Sequence, residues 1–218
     1  MDNEIALPVD YLNNLDLLKY FYDSAREKYF SGIRRLIDVG HRKDIRFTDL
    51  IARHSPEIEI VYFDNSGFIS KLLTGIKEAL DAGKKMYSEN LKFTSAPEGE
   101  FDAASYFFTI HEFDEQISQR ETLQQTHSLL RKKGLVFVID YNLLWVRGLN
   151  NPKQSIRNIF NSKNERDVIE SEPDWFEAHT RYSLEKCIED MNAVGFKRVE
   201  SHPEPGEKSK LFFYVGKK

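Results

Sequence analysis

Apolar residues recur along this chain in two alternating rhythms: short unbroken runs, and longer stretches with a period of about 3.6 residues. Arg35 to Val39 (RLIDV), with Gly40 behind it as a turn, reads as a buried strand. Around 45–54, Phe47, Leu50, Ile51 and His54 fall on one side of a helix. Glu57 to Phe63 (EIEIVYF) reads as a strand that stops at Asp64. Ser66 then caps a helix carrying Ile69, Leu72, Leu73, Ile76 and Leu80. Leu91 to Thr94 is a short strand and Phe101 to Ile110 a longer buried one. A polar helix follows over 114–132, stopped by the corner Lys132-Lys133-Gly134. Leu135 to Ile139 (LVFVI) is apolar at every position and ends at Asp140, as expected of a strand covered on both faces. Ser183 opens a helix with Leu184, Cys187, Ile188 and Met191 on its inner side, closed by Gly195. Two last strands, near 196–202 and 210–215, flank a turn at 203–206.

Repeated strand–helix alternation predicts an α/β fold of the Rossmann-like, doubly wound kind, built on a mostly parallel seven-stranded sheet. The final two strands have only a turn between them and should form an antiparallel hairpin at one edge. Ahead of the first strand, Leu15, Leu18, Tyr22, Ala25 and Tyr29 keep helical spacing, which predicts an N-terminal helical cap over 1–32. The α/β domain then occupies 33–218. Residues 142–182 break the rhythm. Rich in Asn, Trp, Arg and Glu and longer than an ordinary connection, they read as an insertion that forms a lid or substrate wall.

Composition narrows the function classes. With 40% hydrophobic residues, 16 Phe and 10 Tyr, the chain can bury a sizeable core. A formal net charge of −4 gives no global field for nucleic acid or an anionic membrane. The basic clusters at Arg34-Arg35, Lys84-Lys85, Arg131–Lys133 and Lys217-Lys218 read as solvated helix ends and a tail. Cys187 is the sole cysteine, so neither an intrachain disulfide nor a cysteine zinc site is expected. No run approaches the ~18 apolar residues of a membrane span, and the first residues lack a signal-peptide pattern. A cytoplasmic protein is expected, and a homodimer is compatible with the sequence. HEFDE (111–115) lacks the second histidine of a helical zinc pair, and no metal is expected. No phosphate-binding Gly-Lys-Ser/Thr loop or Gly-x-Ser-x-Gly elbow occurs.

Five points of punctuation stand in order: Asp38-Val39-Gly40, Asp64-Asn65-Ser66, Ile110-His111-Glu112-Phe113, Leu130-Arg131-Lys132-Lys133-Gly134, and YSLEKCIEDMNAVGFKRV at 182–199. Together they resemble the class I S-adenosylmethionine-dependent methyltransferases over roughly residues 33–216. The resemblance implies S-adenosylmethionine as cofactor and methyl transfer to a small-molecule acceptor. It implies cofactor contacts from Asp38, Gly40, His41, Arg42, Asp64, Asn65, Ser95, Ala96 and Phe108, and catalytic candidates His111, Tyr141 and His179.

The residues themselves bear on this reading. Gly40 suits a tight strand-to-helix turn, where a missing Cβ permits positive φ; a turn with no ligand is the alternative. Asp64 stands where a carboxylate accepts both ribose hydroxyls, or else it is a solvent-exposed helix cap. Arg42 occupies the place of the family's second glycine. That loss damages the case for a nicotinamide cofactor more, because a pyrophosphate docks against bare backbone, whereas S-adenosylmethionine carries no phosphate. Arg42 or Lys43 could pair with the ligand carboxylate. Ser95 replaces the acid that often receives the adenine amino group. His111 ends the fourth strand, where it is either a general base or a hydrogen-bonded structural residue. Two further readings stay open: a catalytically inactive methyltransferase-like domain that binds a metabolite or protein, and an NAD(P)-dependent oxidoreductase.

Overall fold

The computed structural model describes residues 25–40, 46–64, 88–107, 109–110, 116–142, 182–202 and 211–218. The strands are β1 (Arg35–Val39), β2 (Glu59–Phe63), β3 (Leu91–Thr94), β4 (Phe101–Phe107), β5 (Leu130–Tyr141), β6 (Lys197–His202) and β7 (Leu211–Lys217). The helices are α1 (Arg46–His54), α2 (Gln116–Leu129) and α3 (Leu184–Ala193), and residues 25–29 are also helical. The expected cap up to residue 24, the helix beginning at Ser66 and the insertion from 143 to 181 lie outside the described residues.

One seven-stranded sheet forms in the order β3-β2-β1-β4-β5-β7-β6. The pairs β1–β2, β1–β4, β2–β3 and β4–β5 are parallel, and β7 runs antiparallel to both β5 and β6. The edge hairpin is therefore as expected from its short connection. β7 is the strand that enters the sheet, between β5 and β6.

Register divides the buried residues between two faces. Asp38 lies level with Tyr62 and Ser105, and Ser105 level with Phe137. In-register neighbours share a face, so this row looks toward α1, whose Thr48 bonds Asp38, and toward Tyr29 and Phe30, whose rings meet Phe137. The opposite face carries Ile37, Val39, Val61, Phe63, Ala104, Tyr106, Val136, Val138, Phe212 and Tyr214. Leu123 of α2 and Leu184, Cys187 and Met191 of α3 close over it. Covering both faces explains why Leu135–Ile139 of β5 reads as a continuous apolar run rather than an alternating one.

One expectation needs correcting. The polar helix ends at Leu129, and the corner at 130–134 belongs to β5. Phe101 pairs with Leu130 and Ala103 with Leu135, so Arg131–Gly134 bulge out opposite Asp102. Lys133 takes φ +69° there, and a Cβ on Gly134 would lie 2.9 Å from the Arg131 carbonyl oxygen. Among the described side chains of α1, Thr48, Asp49, Ile51 and Ala52 are buried, continued by Ser55, and His54 is half-buried; the side chains of Phe47 and Leu50 lie outside the described residues. Small hydroxyl residues fit here because α1 lies close on β2 and β3.

Candidate functional site

At the carboxyl end of β1, Asp38 is 4% exposed. One of its oxygens accepts from Ser105 Oγ of β4 at 2.5 Å, the other from Thr48 Oγ1 of α1. Burial nonetheless lifts its pKa to about 6, with the two hydroxyl bonds opposing the shift. Asp38 thus ties three elements together at the start of the turn.

Gly40 follows directly. Its N–H donates to the Phe63 carbonyl at 2.8 Å, which fixes the turn to the end of β2. Positive φ occurs at Gly32, Gly99 and Gly195 but not at Gly40, so left-handed backbone is not why glycine stands there. The reason is close approach: a Cβ on Gly40 would overlap the hydroxyl, Cζ and Cε2 of Tyr62. Asp64, one residue past β2, is completely buried, which removes its reading as a solvent-exposed cap. Its N–H reaches the Thr94 carbonyl at 3.4 Å. After β3, Thr94 Oγ1 closes a small turn with the N–H and C=O of Ala96, each at 3.0 Å, leaving Ser95 and Ala96 exposed. Gly40, Asp64 and the Ser95-Ala96 turn therefore follow the carboxyl ends of β1, β2 and β3, three adjacent strands. Such ends form the crevice where open α/β sheets bind ligands.

Near the carboxyl end of β5, Asp140 is completely buried; beyond the strand, Asn142 is 4% exposed and Tyr182 7% exposed. Burial raises the Tyr182 phenol well above its ordinary range, and the nearby Cys187, Asp140 and Asp190 add to this. Burial does the same to the Cys187 thiol. His41, Arg42, Asn65, Phe108, His111 and His179 lie outside the described residues. The side chain of Tyr141 also does, although its backbone ends β5 opposite Leu211.

No family model matches the sequence, and no curated protein resembles it in sequence. Solved structures do resemble it in shape. The plantazolicin methyltransferase BpumL, in complex with a monoazolic desmethylPZN analog and SAH, aligns over 95% of this chain and 84% of its own at 12% identity, with a TM-score of 0.60. The N-methyltransferase NodS from Bradyrhizobium japonicum WM9 aligns over 94% and 98% at 12% identity, TM-score 0.54. An O-methyltransferase family protein from Burkholderia thailandensis aligns over 96% of this chain at 15% identity, TM-score 0.55. The chain spans only 58% of that last protein's length. The fold is that of the class I S-adenosylmethionine-dependent methyltransferases.

Within this methyltransferase fold, sequence reasoning missed Thr48, Ser105 and Tyr62. Thr48 and Ser105 carry no motif, and their bonds to Asp38 join residues 10 and 67 positions apart. A faint signal existed for Ser105, the lone serine or threonine inside the run Phe101–Phe107. A polar side chain inside a buried methyltransferase strand must find a partner on its own face.

Proposed function

We propose that this chain binds S-adenosylmethionine and transfers its methyl group to a small-molecule acceptor. The observation that carries the reading is Asp64: a completely buried carboxylate just past β2, beside the Gly40 turn. A carboxylate accepts strongly from hydroxyl donors, and the two hydroxyls of a ribose are suited to it. A sugar bound there would replace what now covers the acid. Ser95 and Ala96, exposed at the next strand end, fit the adenine side, and Gly40 with His41, Arg42, Asn65 and Phe108 would complete the cofactor set. Asp38 belongs to this set as a positioning group, because both its oxygens are taken by Ser105 and Thr48.

The cofactor supplies an activated sulfonium methyl group. The protein's part is then to align the acceptor in line with it and exclude water. His111, Tyr141 and His179 are the candidates for taking a proton from the acceptor. We read the chain as a helical cap over 1–32 and an α/β domain over 33–218, with the insertion at about 142–182 forming the acceptor wall. Solved structures of this fold that carry SAH, BpumL and PigF among them, support the choice of cofactor.

One observation favours the inactive reading instead. Tyr62 alone accounts for the glycine at position 40, with no ligand required. Titration calorimetry with S-adenosylmethionine and S-adenosylhomocysteine separates the two. Heat of binding is expected, and folded protein silent at millimolar ligand would rule the methyltransferase reading out.

A further inference from the structure

We infer that Tyr62 is a positioning residue for the turn after β1, its phenol fixing the Gly40 backbone on which the amino-acid end of the cofactor would rest. This depends on the cofactor reading above. Tyr62 is 2% exposed and lies level with Asp38, on the face that looks toward α1. Its ring is braced on the far side by Phe93 of β3, with centroids 6.1 Å apart and planes tilted by 60°. Its outer end sits against the bare Cα of Gly40, so close that a methyl group there would overlap the hydroxyl, Cζ and Cε2. The backbone of the same residue is held by the 2.8 Å bond to Phe63. Gly40 is thus gripped twice by β2, through the main chain of residue 63 and the side chain of residue 62.

That grip matters because the sequence supplies few glycines here. Arg42 and Asp44 stand where second and third small residues would otherwise let the loop settle against a ligand. Without those glycines the placing of the Gly40 backbone falls to packing, and Tyr62 is the side chain packed on it. Its role is distinct from that of Asp38, which ties β1 to α1 and β4.

The test is a double-mutant cycle on the full chain, read by calorimetry with S-adenosylhomocysteine and by Tm. Leucine at position 62 keeps apolar bulk near the sheet but lacks the three atoms that a Cβ would meet. Gly40→Ala alone is expected to weaken binding by about tenfold or more. In the Tyr62→Leu background the same change should cost less than about threefold, because the overlap is gone. Should Tyr62→Leu not fold, Tyr62→Val, a better strand former, carries the same cycle. Asn90→Ala is the control. Asn90 Nδ2 donates to the carbonyls of Ala52, Ser55 and Ile58 at the opposite end of the sheet, so its loss should lower Tm and leave affinity unchanged. Equal costs of Gly40→Ala in both backgrounds, or wild-type affinity in Gly40→Ala, would overturn the inference while leaving the cofactor reading intact. Absence of binding by folded wild type would remove both.

Discussion

The two ends of the sheet treat charge in opposite ways. At the amino ends, charged side chains, from buried Asp102 to partly exposed Arg35 and Glu59, are joined in ion pairs. Asp102 accepts from the N–H of Arg34 at 2.5 Å and of Arg35 at 3.0 Å, and pairs with Arg131 at 2.8 Å. Arg35 pairs with Glu59 at 3.0 Å, donates to the Glu100 carbonyl and lies over the Phe101 ring. These contacts join β1, β2 and β4 and anchor the bulge in β5. At the carboxyl ends, Asp38, Asp64 and Asp140 are withdrawn from water, at 4%, 0% and 0% exposure. Of these, Asp38 has both oxygens taken by Ser105 and Thr48. The contrast is between an end where ion pairs join neighbouring strands and an end where carboxyl groups are sealed from water, the end at which we propose the cofactor binds.

The contrast can be broken most forcefully at Asp102. Asp102→Ala leaves two backbone donors and Arg131 without their acceptor, and should lower unfolding free energy by roughly 3 kcal/mol while ligand affinity stays as it was. Urea denaturation beside calorimetry checks both halves of this expectation.

A second effect, of similar size, comes from pH. Asp38 has a folded pKa raised to about 6 against an ordinary value of 3.8. Between those values the folded chain holds a proton that the unfolded chain has released. This group's contribution therefore falls as pH rises from about 4 to about 6, by on the order of 3 kcal/mol. Asp38→Asn should flatten that slope. Unfolding curves at pH 4, 5, 6 and 7.5, wild type against variant, isolate Asp38 from other titrating groups, and a slope unchanged in the variant would refute the assignment.

Asp64→Ala sharpens the contrast from the other side. Binding of S-adenosylmethionine should weaken by about 1–3 kcal/mol if the carboxylate holds the ribose. Unaltered affinity would take Asp64 out of the site. The smallest effect is expected at Ser183, whose hydroxyl accepts from the Lys186 N–H at 3.2 Å to cap α3. Ser183→Ala should lower stability by about 1 kcal/mol, readable as a small drop in denaturation midpoint.

Much of this was legible in the sequence where the cause is local. The run LVFVI needs only covered faces, Ser183 needs only the orphan N–H groups of its own helix, and Gly195 takes φ +104° as a helix-closing glycine should. Asp64 could be singled out as the residue past a strand, but its burial depends on what packs around it. The bulge at 131–134 was misread as a corner, because what holds it is Asp102 across the sheet. Gly40 was recognised for the wrong reason. The local rule offers positive φ, whereas the actual cause is a tyrosine 22 positions away that no periodicity connects to it. The Asp38 bonds escaped for the same reason, since register decides which hydroxyl faces which acid.

One feature of α3 offers a practical handle. Cys187 is the chain's sole thiol, fully sealed under the helix and held in its protonated form. A thiol in that state reacts with an aromatic disulfide reagent only when the helix lifts off the sheet. The protein thus carries its own breathing gauge, and the labelling rate of unmodified wild type, with and without added nucleoside, reports how far ligand quiets the region without a single engineered probe.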